Sequence, residues 1–167
     1  GIQRNSKIDE AYLLLGKARY YDRRFFPAME AFNYLLENYA DAKTYVEGRI
    51  WREKTNIRMR NNELAIKNLR SLARSITPSS KFHSPANAAI SQAFINIKEL
   101  DSAIYYIRNA ALNAKDNRHK GRYYFLTGQI YESLKKPDSA LWAFEQVVGL
   151  NRKTPRKYWI NAQIKRL

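Results

Sequence analysis

An alanine followed four residues later by a large apolar side chain recurs four times in this chain, at Ala28 and Phe32, Ala65 and Leu69, Ala103 and Ile107, and Ala140 and Phe144. The alanines are spaced 37, 38 and 37 residues apart. A step of four puts both side chains on one face of a helix, and a period of this length accommodates two helices. Twelve residues before each Ala stand Gly16, Glu53, Ser91 and Gly128, at the point where the first helix of a hairpin must approach the second. Three of these four are small. A single helical hairpin cannot bury its own apolar face, so a chain built this way is stable only when its hairpins stack.

Helix signals between the anchors divide the chain further. Ile76 to Pro85 is a Ser- and Pro-rich loop, with Ser84 and Pro85 as a candidate cap and first turn. Asp101, Asp138 and Thr154-Pro155 are similar start signals. The spacing predicts helices over 8–22, 25–38, 42–60, 62–75, 85–98, 101–114, 118–135, 138–149 and 156–166. They group into units at about 8–40, 41–75, 84–114 and 118–150. The segment 155–167 is either a cap or the first half of a truncated further repeat. Tyr12, Leu15, Tyr20, Phe25, Phe32, Leu69, Ile90, Phe94, Ile107, Tyr124, Tyr131 and Phe144 are the expected core. One domain of 167 residues, a piece of a larger protein, is the expected organisation.

Composition narrows the chemistry. Thirty Lys and Arg against 15 Asp and Glu give a net charge of +15, spread along the whole chain, which suits either a solvated helical surface or an electrostatic binding face. Cysteine is absent, so thiolate sites and disulfides are excluded. His83 and His119 lie far apart in the sequence and lack the clustered carboxylates of a metal site. Neither a phosphate-binding Gly-rich loop nor a nucleophile elbow occurs. The expectation is therefore no catalytic residue, no metal, no cofactor and no small-molecule substrate. Tyr and Trp interleaved with Lys and Arg could stack on nucleic-acid bases, but most of the aromatics fall on repeat positions that pack hairpins. Nucleic acid ranks below protein as a partner.

The pattern resembles the tetratricopeptide repeat. Tyr124, Gly128, Tyr131, Ala140 and Phe144 occupy its characteristic slots in the fourth unit, as Tyr12, Gly16, Tyr20, Phe25, Ala28 and Phe32 nearly do in the first. The second unit departs most, with Arg49, Arg52 and Glu53 where apolar or small residues are expected. The resemblance implies an all-α, right-handed α-α superhelix of four hairpins plus a C-terminal helix, with a concave groove lined by the first helices. By that resemblance the groove carries Lys17, Tyr20, Tyr21, Lys54, Arg58, Gln92, Asn96, Arg122, Phe125 and Gln129. Arg52 and Glu53 join them because charge on a packing position marks either a contact site or an internal ion pair. The lining suits an acidic or carboxylate-bearing protein segment. The Lys and Asn pattern of the family's chaperone-tail clamp is not reproduced, since Leu13 and Lys17, then Ile50 and Lys54, stand there.

A narrower likeness rests on the stretch Ile8 to Asp22, continuing to Ala31-Phe32-Asn33-Tyr34, and on Asn62 to Ile66 and Pro155 to Leu167. These are similar to the repeat region of the gliding-motility and type IX secretion lipoproteins of the Bacteroidetes, the SprE/PorW group. That resemblance implies a non-catalytic docking scaffold in a periplasmic, outer-membrane-anchored parent, linking motor components to the translocon. A generic adaptor of the same repeat class, located in the cytoplasm, and a basic nucleic-acid-binding repeat are the alternatives.

Overall fold

The computed structural model describes residues 7–167, which form nine α-helices and one short 3-10 turn. The helices are α1 (Ile8–Tyr21), α2 (Phe25–Asn38), α3 (Tyr45–Arg58), α4 (Asn62–Ser75), α5 (His83–Asn96), α6 (Leu100–Asn113), α7 (Asn117–Ser133), α8 (Pro137–Leu150) and α9 (Arg156–Lys165), with the 3-10 turn over Asn151–Lys153. No strand occurs among the described residues, so the all-α expectation holds, and eight of the helices pair as hairpins along the chain. The chain divides into two compact units, the first running to Leu72 and the second from Ala73 to Leu167.

One turn geometry makes all four hairpins. Arg23, Arg60, Lys98 and Lys135 each adopt a left-handed backbone, with φ of 60°, 66°, 64° and 56°. In each case the following N–H reaches back five residues to the preceding helix, as Arg24 to Arg19 (2.8 Å), Asn61 to Asn56 (2.9 Å), Glu99 to Phe94 (2.9 Å) and Lys136 to Tyr131 (2.9 Å). This closes the orphan carbonyls of the first helix and redirects the chain into the second. The anchor alanines then open the next ladder: Ala28, Ala65, Ala103 and Ala140 donate to the carbonyls of Arg24, Asn61, Glu99 and Lys136.

Glycine normally fills the left-handed position, and here four basic residues do, each at a helix C-terminus where positive charge is favoured. Lys98→Gly is expected to relieve the backbone cost and raise stability by about 0.5–1 kcal/mol, whereas Lys98→Val should lower it by at least ~1 kcal/mol. Chemical denaturation midpoints of the two variants check this.

The expected side-chain caps are not how most helices start. Ser84 lies inside α5, which begins at His83, and its hydroxyl is buried without a partner. Glu99 and Lys136 precede α6 and α8 without a side-chain cap, and the expected start residues Asp101 and Asp138 lie in the first turn, where their charge favours the helix dipole. Asp116 is the exception, accepting from the His119 N–H at the start of α7.

In the first unit, Leu13, Ala28, Phe32 and Leu35 form the core, with Tyr12, Tyr20, Tyr39 and Trp51 packed on its margin. Leu15, expected in the core, is 39% exposed and shares an open side of α1 with Leu14 and Ala18. In the second unit Ile90, Ala93, Ala103, Ile107, Ala110, Phe144 and Val147 are fully or almost fully buried.

The period-defining contact is a close approach of the two helices. A methyl placed on Gly16 would lie 2.7 Å from Phe32 Cδ1, and one on Gly128 would lie 2.6 Å from Phe144 Cζ. Ser91 at the equivalent place faces a hairpin with Ile107 and donates from its hydroxyl to the Ala103 carbonyl at 2.8 Å. Where the second helix carries Phe, the first carries Gly; where it carries a smaller aliphatic side chain, a larger residue is admitted. Glu53, opposite Leu69 in register, is the extreme of this trade.

Candidate functional site

The first unit carries an exposed aromatic and cationic platform on α1 and α3. Lys17 binds the Glu47 carboxylate and joins the two helices. One turn along, Tyr20 and Tyr21 both meet Trp51 edge to face, with ring centroids 5.2 Å and 5.6 Å away. Cations lie over these rings: Lys54 Nζ stands 3.7 Å from the Trp51 centroid, Lys17 Nζ 5.3 Å from it, and the Arg58 guanidinium 5.8 Å from Tyr20 and 4.9 Å from Phe25. The register explains the grouping, since 17, 20 and 21 share one face of α1 while 47, 51, 54 and 58 share one face of α3.

Tyr21 is 72% exposed, a large apolar ring held at the surface by its neighbours. On the platform, Glu47 is the acid paired with Lys17. Preorganised Tyr, Trp and Arg side chains of this kind provide large contact area at low entropic cost.

Five predicted groove residues, Lys17, Tyr20, Tyr21, Lys54 and Arg58, thus come together in the first unit. In the second unit, Gln92 is exposed on α5 and donates to Asn96 at 3.0 Å, while Arg122 and Gln129 are exposed two turns apart on α7. Two members of the set present no surface. Phe125 is buried between Phe144 and Tyr158, at 5.6 and 5.5 Å between centroids. α9 covers it, and the register argument took no account of that helix.

Glu53 is the other. It is 1% exposed, and its carboxylate accepts from Arg52 Nε at 2.8 Å and from Asn56 Nδ2 at 2.8 Å. Of the two readings of the irregular second hairpin, the internal Arg-Glu pair is the one the geometry displays. A buried carboxylate needs this pairing and hydrogen bonding to remain charged.

The two histidines stand in different surroundings. His119 Nδ1 meets Asp116 Oδ2 at 2.7 Å on an exposed helix start, whereas His83 is half-buried beside Asn87. Desolvation pushes the Asp116 carboxyl up, but hydrogen bonds and charge from His119 outweigh it and hold the group below its ordinary value. No group of three or more metal-binding side chains converges among the described residues.

Comparison with solved structures settles the fold. Over 99% of this chain and 86% of the other, the structure matches the TPR-like repeats of a kinesin light chain from Podosopora anserina, with a TM-score of 0.77 and 12% identity. A thermophilic TPR protein from Thermus thermophilus matches over 93% of this chain and 81% of its own, with a TM-score of 0.70 and 18% identity. The fold is that of tetratricopeptide repeats. The MamA protein is also similar, with a TM-score of 0.68 and 21% identity over 96% of this chain and 79% of that one. No family model and no curated protein sequence matches the chain.

The sequence reading missed the basic left-handed turns, although their signal was present: Arg or Lys stands five residues before every anchor alanine.

Proposed function

We propose that this chain is a non-catalytic protein-docking module whose partner seats an acidic segment on the platform formed by Tyr20, Tyr21, Trp51, Lys17, Lys54 and Arg58. The exposed Tyr21 ring, fixed against Trp51 and surrounded by cations, carries the reading. A carboxylate-bearing chain would place its charges beside Lys54 and Arg58 while its apolar groups cover the rings. The repeat fold supports a role in holding other proteins, because helical hairpins in series offer extended surface.

The likeness to the SprE/PorW group supplies the setting: a periplasmic scaffold linking type IX secretion or gliding motor components to the outer-membrane translocon. Crosslinking in cells, followed by purification of this chain and mass spectrometry, tests both levels. Capture of envelope secretion components that is lost at least tenfold in Tyr21→Ala, with an unchanged thermal melt, is the expected result. Recovery of ribosomal or RNA-bound material instead would overturn the secretion setting. Envelope capture indifferent to Tyr21→Ala and to Lys54→Glu would overturn the platform.

A further inference from the structure

The second unit concentrates positive charge at one end. The first half of α7 packs against the segment that leads into α9: Gly121 lies so close to Thr154 that an added methyl would be 2.7 Å from Thr154 Cβ, and the Phe125 ring packs tilted against Tyr158 one turn further on. Within a turn of those contacting residues along the chain stand Arg118, Lys120 and Arg122 of α7 and Arg152, Lys153, Arg156 and Lys157 of the 3-10 turn and α9. Among the described residues none of these seven is paired with a carboxylate. From Gln146 to Leu167 the sequence has no acidic residue at all. At α7 the Asp116 carboxylate caps the helix start, but α9 has neither an acidic first-turn residue nor a side-chain cap, so Arg156 and Lys157 stand where its dipole favours anions. The molecule accepts unfavourable electrostatics here, and a bound polyanion would relieve them.

The exposed face of α9 narrows the choice of polyanion. Ile160 and Ile164 sit one turn apart in its second half, 38% and 60% exposed. Arg156 and Lys157 lie at the N-terminal end of the same face, and Lys165, bound to Glu132 at 3.0 Å, flanks it. Apolar side chains bordered by cations match the boundary between lipid headgroups and acyl chains. A single-stranded nucleic acid would instead require exposed rings for its bases. Tyr123, Tyr124 and Phe125 near this end are buried, and the half-buried rings of α9 are turned to the protein, Tyr158 against Phe125 and Trp159 with its indole N–H donating to the Val148 carbonyl at 3.3 Å.

We propose that the α7 start, the 3-10 turn and the outer face of α9 form a surface that binds peripherally to an anionic lipid bilayer. The binding is interfacial, in keeping with the observation that no described helix is long and apolar enough to cross a membrane. It is separate from the protein-docking platform of the first unit and does not rest on that reading.

Flotation of the full chain with vesicles of phosphatidylcholine, with and without about 30% phosphatidylglycerol, tests it. The chain is expected to float only with the anionic vesicles and to be released as salt is raised toward about 0.5 M. The variant carrying Arg152→Gln, Lys153→Gln, Arg156→Gln and Lys157→Gln should lose partitioning on the order of tenfold or more. Ile164→Ser should lose it several-fold at unchanged charge. Circular dichroism melts confirm that both variants are folded, and should the fourfold variant fail to fold, Arg118→Gln with Arg122→Gln replaces it. Failure to float on anionic vesicles overturns the proposal. So does binding to a duplex oligonucleotide or to a poly-glutamate chain that exceeds vesicle binding at equal charge concentration.

Discussion

Adding one methyl group at Gly128 should destabilise this protein, against the helix preference of the residue it introduces. The Cβ of Gly128→Ala would fall within 2.6 to 2.8 Å of Phe144 Cζ and Cδ1, and Phe144 is 1% exposed, with no room to withdraw. In an open helix the same change would stabilise by about 1 kcal/mol, because alanine is the better helix former. Overpacking of a rigid core costs about 1–3 kcal/mol and wins here, so the net sign should be destabilising by ~2 kcal/mol.

The double variant with Phe144→Leu separates packing from propensity. Phe144→Leu alone should also destabilise, but together the two should lose less than the sum of the single losses, with a favourable coupling above ~1 kcal/mol. Gly16→Ala with Phe32→Leu should behave in the same way in the first hairpin. A stabilised Gly128→Ala variant in urea denaturation would show that the helices are not held at this distance by the ring.

The second large effect is expected at the Arg52–Glu53 pair of the second hairpin, where the carboxylate is buried and the guanidinium half-buried. Arg52→Ala leaves the Glu53 carboxylate, whose side chain is 2% exposed, with only Asn56 as partner. An uncompensated buried charge costs about 3 kcal/mol or more. Adding Glu53→Gln to Arg52→Ala should recover about half of that loss, since a neutral amide needs no counter-charge. Glu53→Gly, which restores the small residue that the repeat pattern prefers, should destabilise rather than help. Leu69 opposite does not fill the space a phenylalanine would, and a void remains. Denaturation midpoints that are unchanged in Arg52→Ala and Glu53→Gly would return the pair to the status of surface contacts.

These two expectations mark where sequence reading succeeded and where it stopped. The repeat was legible because a helix approaching another at close range leaves a periodic trace: a small residue, then alanine twelve later, then a bulky side chain four beyond. Helix bounds followed to within three residues at every start and two at every end. The local groupings of Lys17 with Tyr20 and Tyr21, and of Lys54 with Arg58, were equally readable, because one-turn spacing fixes which side chains share a helix face.

Leu15 and Phe125 show the limit. Each sits at a position whose burial depends on what packs outside the hairpin, and nothing in the period specifies that. Phe125 is enclosed by Tyr158 of α9, more than thirty residues away in the chain, while no described helix covers Leu15 on its side of α1. Glu53 was ambiguous for a related reason. An acidic residue on a packing position can point outward to a partner or inward to a cation, and only the fold tells which.

The sequence by itself determined that the chain is a series of helical hairpins, where each turns, and that it is strongly basic without a nucleophile or metal-ligand motif. Those properties are local or compositional, set by backbone geometry and by spacing along one helix. Tertiary structure alone decided that Trp51 meets Tyr20 and Tyr21 under a layer of cations, that Glu53 is an internal partner, and that the first half of α7 packs against the start of α9. Each of these depends on side chains from different helices reaching within a few ångströms of one another, a distance that periodicity along the chain does not encode.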